Sequence, residues 1–287
     1  MTGMTDYSAK NTLSYQLGQI AMPSLPSVWL ALFTGVGTDA GTGFTEVSGG
    51  SYARVQVAGP LTTNAATTTA SAVLNFASVP SWIVAGMTVY DGTNGNEIGS
   101  VLSVTSTTVT LTANAAHAVA SGDTLTFSAF GLPTGTGPSS ANNSAQVSFA
   151  TATASWGTLM AFGLYDAVTG GNLLNWDYLG GFAWLPCTIS AASPGVLTAH
   201  AHGYSAGDLV IYSTEAGGVA PTFSQSNLTG VLAVVGPTTD TFTVTNGGTA
   251  VNTSATGNGM VRKISEQSVP PNIQVIFNAS QLTFTQA

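Results

Sequence analysis

The sequence predicts an all-β protein: a host β-sandwich with a short N-terminal helix and two inserted small β-barrel or sandwich domains. Three observations predict it. From Val28 onward, short runs rich in Val, Thr, Leu and Phe are separated by clusters of Gly, Asn, Asp and Pro, the texture of strands and turns. Only one segment, close to the N-terminus, reads as a helix. The texture changes at Pro60 and again after Pro186, where self-contained stretches interrupt the host pattern, as insertions placed in loops do. A length of 287 residues also exceeds the usual single domain and predicts two or three units, each with its own core.

Asp6 to Ala21 (DYSAKNTLSYQLGQIA) is the helical segment. Tyr7, Leu13, Leu17 and Ile20 are expected near one face, and Pro23 and Pro26 are expected to end it. Such a helix either covers an open sheet edge or anchors the chain to a partner. Val28 to Thr34 (VWLALFT) is a continuous apolar run suited to a strand buried on both faces, and Tyr52 to Val57 alternates. The first excursion predicts strands at Met87 to Asp91, Gly99 to Thr105, Thr107 to Thr112 and Gly122 to Ser128. After a Gly/Pro/Thr linker, Gly131 to Ser140, host strands are expected at Gln146 to Phe149, Ser155 to Asp166 and Gly171 to Tyr178.

The second excursion predicts strands at Val196 to Ala199, Asp208 to Ser213, Gly230 to Val235 and Thr241 to Thr245. Ile273 to Phe277 and Gln281 to Thr285 close the host. The expected partition is therefore host at 1–60, 136–186 and 265–287, with inserts at 61–135 and 187–264. The inserts share a phrase, Ala120-Ser-Gly-Asp-Thr-Leu and Ser205-Ala-Gly-Asp-Leu-Val. Related modules would show this, and so would turn chemistry alone.

Charge is scarce. Lys10, Arg54, Arg262 and Lys263 are the only Lys or Arg residues, Asp and Glu number 12, and charged residues make up 6% of the chain. The average is about 25%. A net charge of −8 argues against a nucleic-acid partner, whose phosphates are bound by clustered Lys and Arg. Surface built from hydroxyls, amides and backbone is instead cheap to desolvate, as in a permanent assembly. The 44% hydrophobic content is that of a chain that folds. No run of about 18 apolar residues predicts membrane insertion, and no signal-peptide pattern opens the chain, so a soluble product of the cytosol is expected.

Candidate chemistry is sparse. Cys187, the single cysteine, has no surrounding pattern of a nucleophile and reads as a small buried hydrophobe near a strand end. His200 and His202 at i, i+2 would share one side of a strand, but no third metal ligand is evident, and His117 stands alone. Asp166 and Asp177 flank a hairpin, a placement a glycosidase pair requires, yet Asp166 sits in a turn sequence that favours bonding to its own backbone. Gly-Lys-Ser/Thr is absent. Trp29, Trp156, Trp176 and Trp184 lie in expected host strands, where core packing outweighs sugar stacking. Arg54 is the one cation in the body of the host and is left as a plain surface charge, or a partner of Glu46 or of a neighbouring subunit.

Several host phrases, read in order, carry a resemblance: Val28-Trp-Leu-Ala-Leu-Phe-Thr, Glu46-Val-Ser-Gly-Gly-Ser-Tyr-Ala-Arg, Asn143-Ser-Ala-Gln-Val-Ser-Phe, Trp156-Gly-Thr and Phe162-Gly-Leu-Tyr-Asp-Ala-Val-Thr-Gly-Gly-Asn-Leu-Leu. The series resembles a family of tailed-bacteriophage virion structural proteins, commonly labelled tail fibre proteins, some of which resemble capsid-decorating proteins. The second insert, with Ala199-His-Ala-His-Gly-Tyr-Ser-Ala-Gly-Asp-Leu-Val, resembles a small β-barrel module of ubiquitin-activating enzymes that recurs in phage structural proteins. The first resembles other phage surface inserts.

The resemblance implies a virion structural protein with no enzymatic activity and no cofactor. The reading taken from it is a capsid decoration protein, bound as a homotrimer to the major capsid protein and other virion proteins and displaying both inserts outward. The alternative is a tail fibre or tail-tip adhesin whose inserts hold a host-surface glycan or protein. Tyr7, Leu13, Leu17, Ile20, Trp29, Phe33 and Arg54 are the expected interface residues.

Overall fold

A computed structural model describes residues 3–20, 27–38, 40–92, 96–135, 139–180, 182–214 and 218–286. It is all-β, with one helix among the described residues. Two units divide the chain: Thr2–Asp177 together with Ser268–Ala287, and Tyr178–Gln267.

The larger unit is organised around Val28–Gly35, in which Leu30, Ala31, Leu32 and Phe33 are fully buried, as its unbroken apolar run requires. This strand pairs antiparallel with Ala161–Tyr165 on one side and Val55–Thr62 on the other. Over these strands lies a two-stranded ribbon, Ser139–Asn142 with Thr283–Gln286 and then Val147–Thr151 with Gln274–Phe277. Phe149, Phe277 and Phe284 of the ribbon meet Phe162, Trp156, Tyr52 and Phe130, with ring centroids 5.3 to 6.4 Å apart, and form the aromatic layer of a sandwich. The single strand expected from Ser155 to Asp166 is in fact two. Gly157–Leu159 pairs with Gln267–Val269 and Ala161–Tyr165 with the inner sheet, the chain changing partners at Met160.

Asn143, fully buried, pins the ribbon where its pairing is interrupted. Its Nδ2 donates to Ala145 O and Asn278 O, both at 2.8 Å, and its Oδ1 accepts from Leu282 N at 2.8 Å. Asn143→Ala strands these buried backbone groups, so chemical denaturation is expected to report a loss of about 2–4 kcal/mol.

Both excursions close into six-stranded rings of the same strand order. In the smaller unit Leu185–Ile189 pairs with Leu197–Thr198, followed around the ring by Thr241–Asn246, Leu232–Val235, Leu209–Ser213 and Gly257–Ile264, which pairs back to Leu185–Ile189. Its core holds Cys187, Ile189, Leu197, Val210, Leu232, Val234, Phe242 and Val261. In the larger unit the ring runs Val55–Thr62, Thr124–Ser128, Thr88–Asp91, Asn96–Val104, Thr108–Leu111 and Val73–Asn75, and the Thr63–Phe76 bridge closes it.

Equivalent hydrogen bonds recur in the two rings. Gly86 N donates to Val101 O at 2.8 Å and Gly207 N to Val234 O at 2.9 Å; Val101 N donates to Met87 O and Val234 N to Asp208 O. Thr105 and Thr108 join hydroxyls at 2.7 Å across one hairpin turn, Thr238 and Thr241 at 2.8 Å across the other. The expected boundary at 60/61 falls inside Val55–Thr62, a strand that serves the host sheet with its first half and the first barrel with its second. The one at 186/187 falls inside Leu185–Ile189.

Candidate interaction surface

The N-terminal segment is tied down before it becomes helical. Gly3–Met4 pairs with Trp176 and Asn175 at the sheet edge. Thr5 then donates its N–H to Leu174 O at 3.1 Å and its hydroxyl to Leu173 O at 2.6 Å. The same oxygen accepts from Ser8 N at 3.4 Å, which makes Thr5 the N-cap of Asp6–Gln16. The helix stops at Gln16, short of the expected Ala21. Gly18, at φ +69°, ends it, its N–H bonding Tyr15 O and the next N–H, of Gln19, bonding Ser14 O. Pro23 and Pro26, the expected stops, lie outside the described residues.

No residue of this helix is buried. Leu13 is 55% exposed and Leu17 63%, and Tyr7, Tyr15 and Ile20 are exposed as well. Two expectations need correction. Ile20 lies beyond the helix end, and Tyr7, six residues before Leu13, is rotated well away from it at about 3.6 residues per turn, so the four residues do not share one helical face. Trp29 is half-buried, whereas Phe33 is fully buried against Phe44 and Tyr165 and serves the core rather than a surface.

Arg54 makes a charged node inside the larger unit. Its Nε and Nη2 donate to both oxygens of Glu46 at 2.8 and 2.6 Å, and its Nη1 donates to Ala167 O and Gly170 O at 2.8 and 2.7 Å. The guanidinium lies 3.4 Å over the Tyr165 ring. Tyr52 donates its hydroxyl to Glu46 at 3.0 Å and accepts from Leu32 N at 2.9 Å. Burial opposes the charge on Arg54, but the Glu46 carboxylate more than offsets it, and the pKa is raised. Burial drives the Tyr52 and Tyr165 phenols upward too. Of the alternatives open for Arg54, the structure shows the pairing with Glu46. Tyr52, Tyr165 and the carbonyls of the 166–171 turn were missed, because they come from distant segments.

In that turn Asp166 accepts from Asn172 N at 2.6 Å, which fits its turn sequence. In the smaller unit His200 is exposed and pairs with Asp240 at 3.0 Å, while the buried His202 accepts from Tyr204 N at its Nδ1 and packs on Tyr204 and Phe242. The two histidines thus point to different environments, and among the described residues no three His, Cys, Asp or Glu side chains converge. Cys187 is buried and its thiol is pushed up to about 12 by desolvation, which suits core packing. Trp156 and Trp176 are buried, and Trp184 belongs to the smaller unit, under the Arg262 guanidinium.

A family model described as Podophage GP4 fiber I protein gp80 matches residues 3–135 and 102–181, which take in the tethered helix, the inner sheet and the first barrel. The second barrel lies outside that match. No curated protein sequence matches the chain. Since the matched segments span more than half of its residues, the chain belongs to the podophage GP4 fiber I protein gp80 family, a family of phage virion fiber proteins.

Proposed function

We propose that this virion protein is a non-enzymatic appendage that docks on the phage particle through its N-terminal helix and displays its barrels. One observation carries the reading: a helix fixed at its start by the Gly3–Thr5 hydrogen bonds buries none of its side chains in its own chain. Five large apolar side chains held in water lose burial free energy that a docked partner would restore. The family description as a fiber protein supports a place among the tail fibres, with the barrels meeting a host-surface glycan or protein.

Capsid decoration, as a homotrimer on the major capsid protein and other virion proteins, is the second reading. It is favoured by a sequence with no heptad stalk or fibrous repeat. Gold-labelled antibody on intact particles separates the two: label at the tail is expected for a fibre, and label over the head would replace that reading with decoration. Incubation with host polysaccharide is expected to release no oligosaccharide; release would overturn the non-enzymatic reading. The charge of −8 disfavours nucleic acid, and no helix among the described residues is long and apolar enough to cross a membrane.

A further inference from the structure

The outer ribbon of the larger unit has an unusual composition. Residues 124–165 and 267–287 contain no Asp, Glu, Lys, Arg or His, and these two stretches supply both strands of the ribbon. Its inner residues Val147, Phe149, Val275 and Phe277 are buried in the sandwich. Its outer side presents Ser148 and Ala150 from one strand and Gln274 and Ile276 from the other, with Ser148 and Ile276 directly opposed and Ile276 40% exposed. Among the described residues Gln274–Phe277 pairs with a single strand, so its far edge keeps backbone donors and acceptors free for another strand.

We propose that this charge-free ribbon is the surface through which a second copy of the chain associates. The occupant follows from charge. Two copies, each at −8, repel wherever their carboxylates face one another, and a like-charge juxtaposition costs several kcal/mol. The ribbon is a face on which neither copy brings an ionic group. Hydroxyls, amides and Ile276 are cheap to desolvate there, and interface cores are depleted in charge for the same reason. A cationic partner would gain nothing from this face and would be drawn to the acidic surface instead.

The inference takes from the proposed function only the homo-oligomer named under capsid decoration, and not a position in the virion. Light scattering on the full chain across a concentration series is the test. Wild type is expected above monomer mass, with association unchanged or strengthened by added salt, because salt screens only the repulsion elsewhere. Ser148→Lys with Ile276→Lys is expected to weaken association at least tenfold while the melting temperature holds, both positions being exposed. Ser148→Glu with Ile276→Glu is expected to do the same, which separates charge at the ribbon from any loss of fold. Oligomers that survive both pairs, or that salt dissolves, would overturn the ribbon and leave the homo-oligomer standing. A wild type that stays monomeric throughout would overturn both.

Discussion

Arg54→Met is expected to destabilise the larger unit by about 3 kcal/mol, read from denaturant midpoints at unchanged slope. The side chain of Arg54 is only 7% exposed and that of Glu46 26%, so removal of the cation leaves a largely desolvated carboxylate with Tyr52 as its remaining hydrogen-bond donor among the contacts described. It also strips Ala167 O and Gly170 O of their donor and Tyr165 of the cation over its ring. Removal of one member of a buried pair costs about 3–5 kcal/mol, and the partial exposure of Glu46 puts this case at the lower end. Adding Glu46→Gln should recover part of the loss, because the orphaned charge goes with it. A single substitution that costs under about 0.5 kcal/mol would reduce the node to an ordinary surface pair.

The same node predicts alkaline behaviour. Tyr52 and Tyr165 have phenols raised in the folded state, chiefly by burial. The unfolded chain therefore loses these protons first. Their contribution is complete below the ordinary tyrosine value of about 10 and is lost as pH rises above it. Spectrophotometric titration of the folded protein should find Tyr52 and Tyr165 ionising above the ordinary tyrosine range, and the Phe variants at 52 and 165 identify which steps are theirs.

Legibility in the sequence followed how local each cause is. The Val28–Gly35 strand was readable because burial on both faces demands a continuous apolar run, and the run is there. The helix start is legible in the sequence, but its end lies before the prolines, because Leu17-Gly18, a left-handed glycine cap, stops it first. Gly257–Ile264 was missed altogether. Two glycines and two cations make it look like a loop, and only pairing on both sides with Leu185–Ile189 and Leu209–Ser213 makes it a strand. Gly259 is needed in that position because an added Cβ would collide with Ser213 O and the Tyr212 ring.

The phrase the two inserts share pairs non-equivalent segments of the barrels. In the rings, Ser205-Ala-Gly-Asp208 corresponds to Val84-Ala-Gly-Met87 and not to Ala120-Ser-Gly-Asp123. A glycine turn closed by an aspartate onto a backbone N–H recurs at both Asp123 and Asp208 for local reasons, so it marks turns rather than positions in a fold. Partners that a side chain finds more than 100 residues away, as Arg54 finds Ala167 and Gly170, leave no trace in local pattern.

Leu13→Glu with Leu17→Glu is expected to lower the number of copies per purified virion at least 100-fold, by quantitative immunoblot, and to leave the isolated chain folded. Both side chains are more than half exposed, so charge there costs the free protein little. Docked, each leucine would contribute about 1.5–3 kcal/mol of burial, and two losses of that size reach a hundredfold in affinity. Point changes are the sharper test, because deletion of the whole segment also removes the Gly3–Met4 strand and the buried Thr5 cap and so disturbs the sheet edge. Thr5→Ala gives the contrast: a loosened helix start, about 1 kcal/mol less stable, with its apolar side chains intact. If the helix is the anchor, occupancy falls steeply for the glutamates and mildly for the cap. Full occupancy of the glutamate variant would move the anchor elsewhere in the molecule, with the helix left as an exposed appendage of the sheet edge.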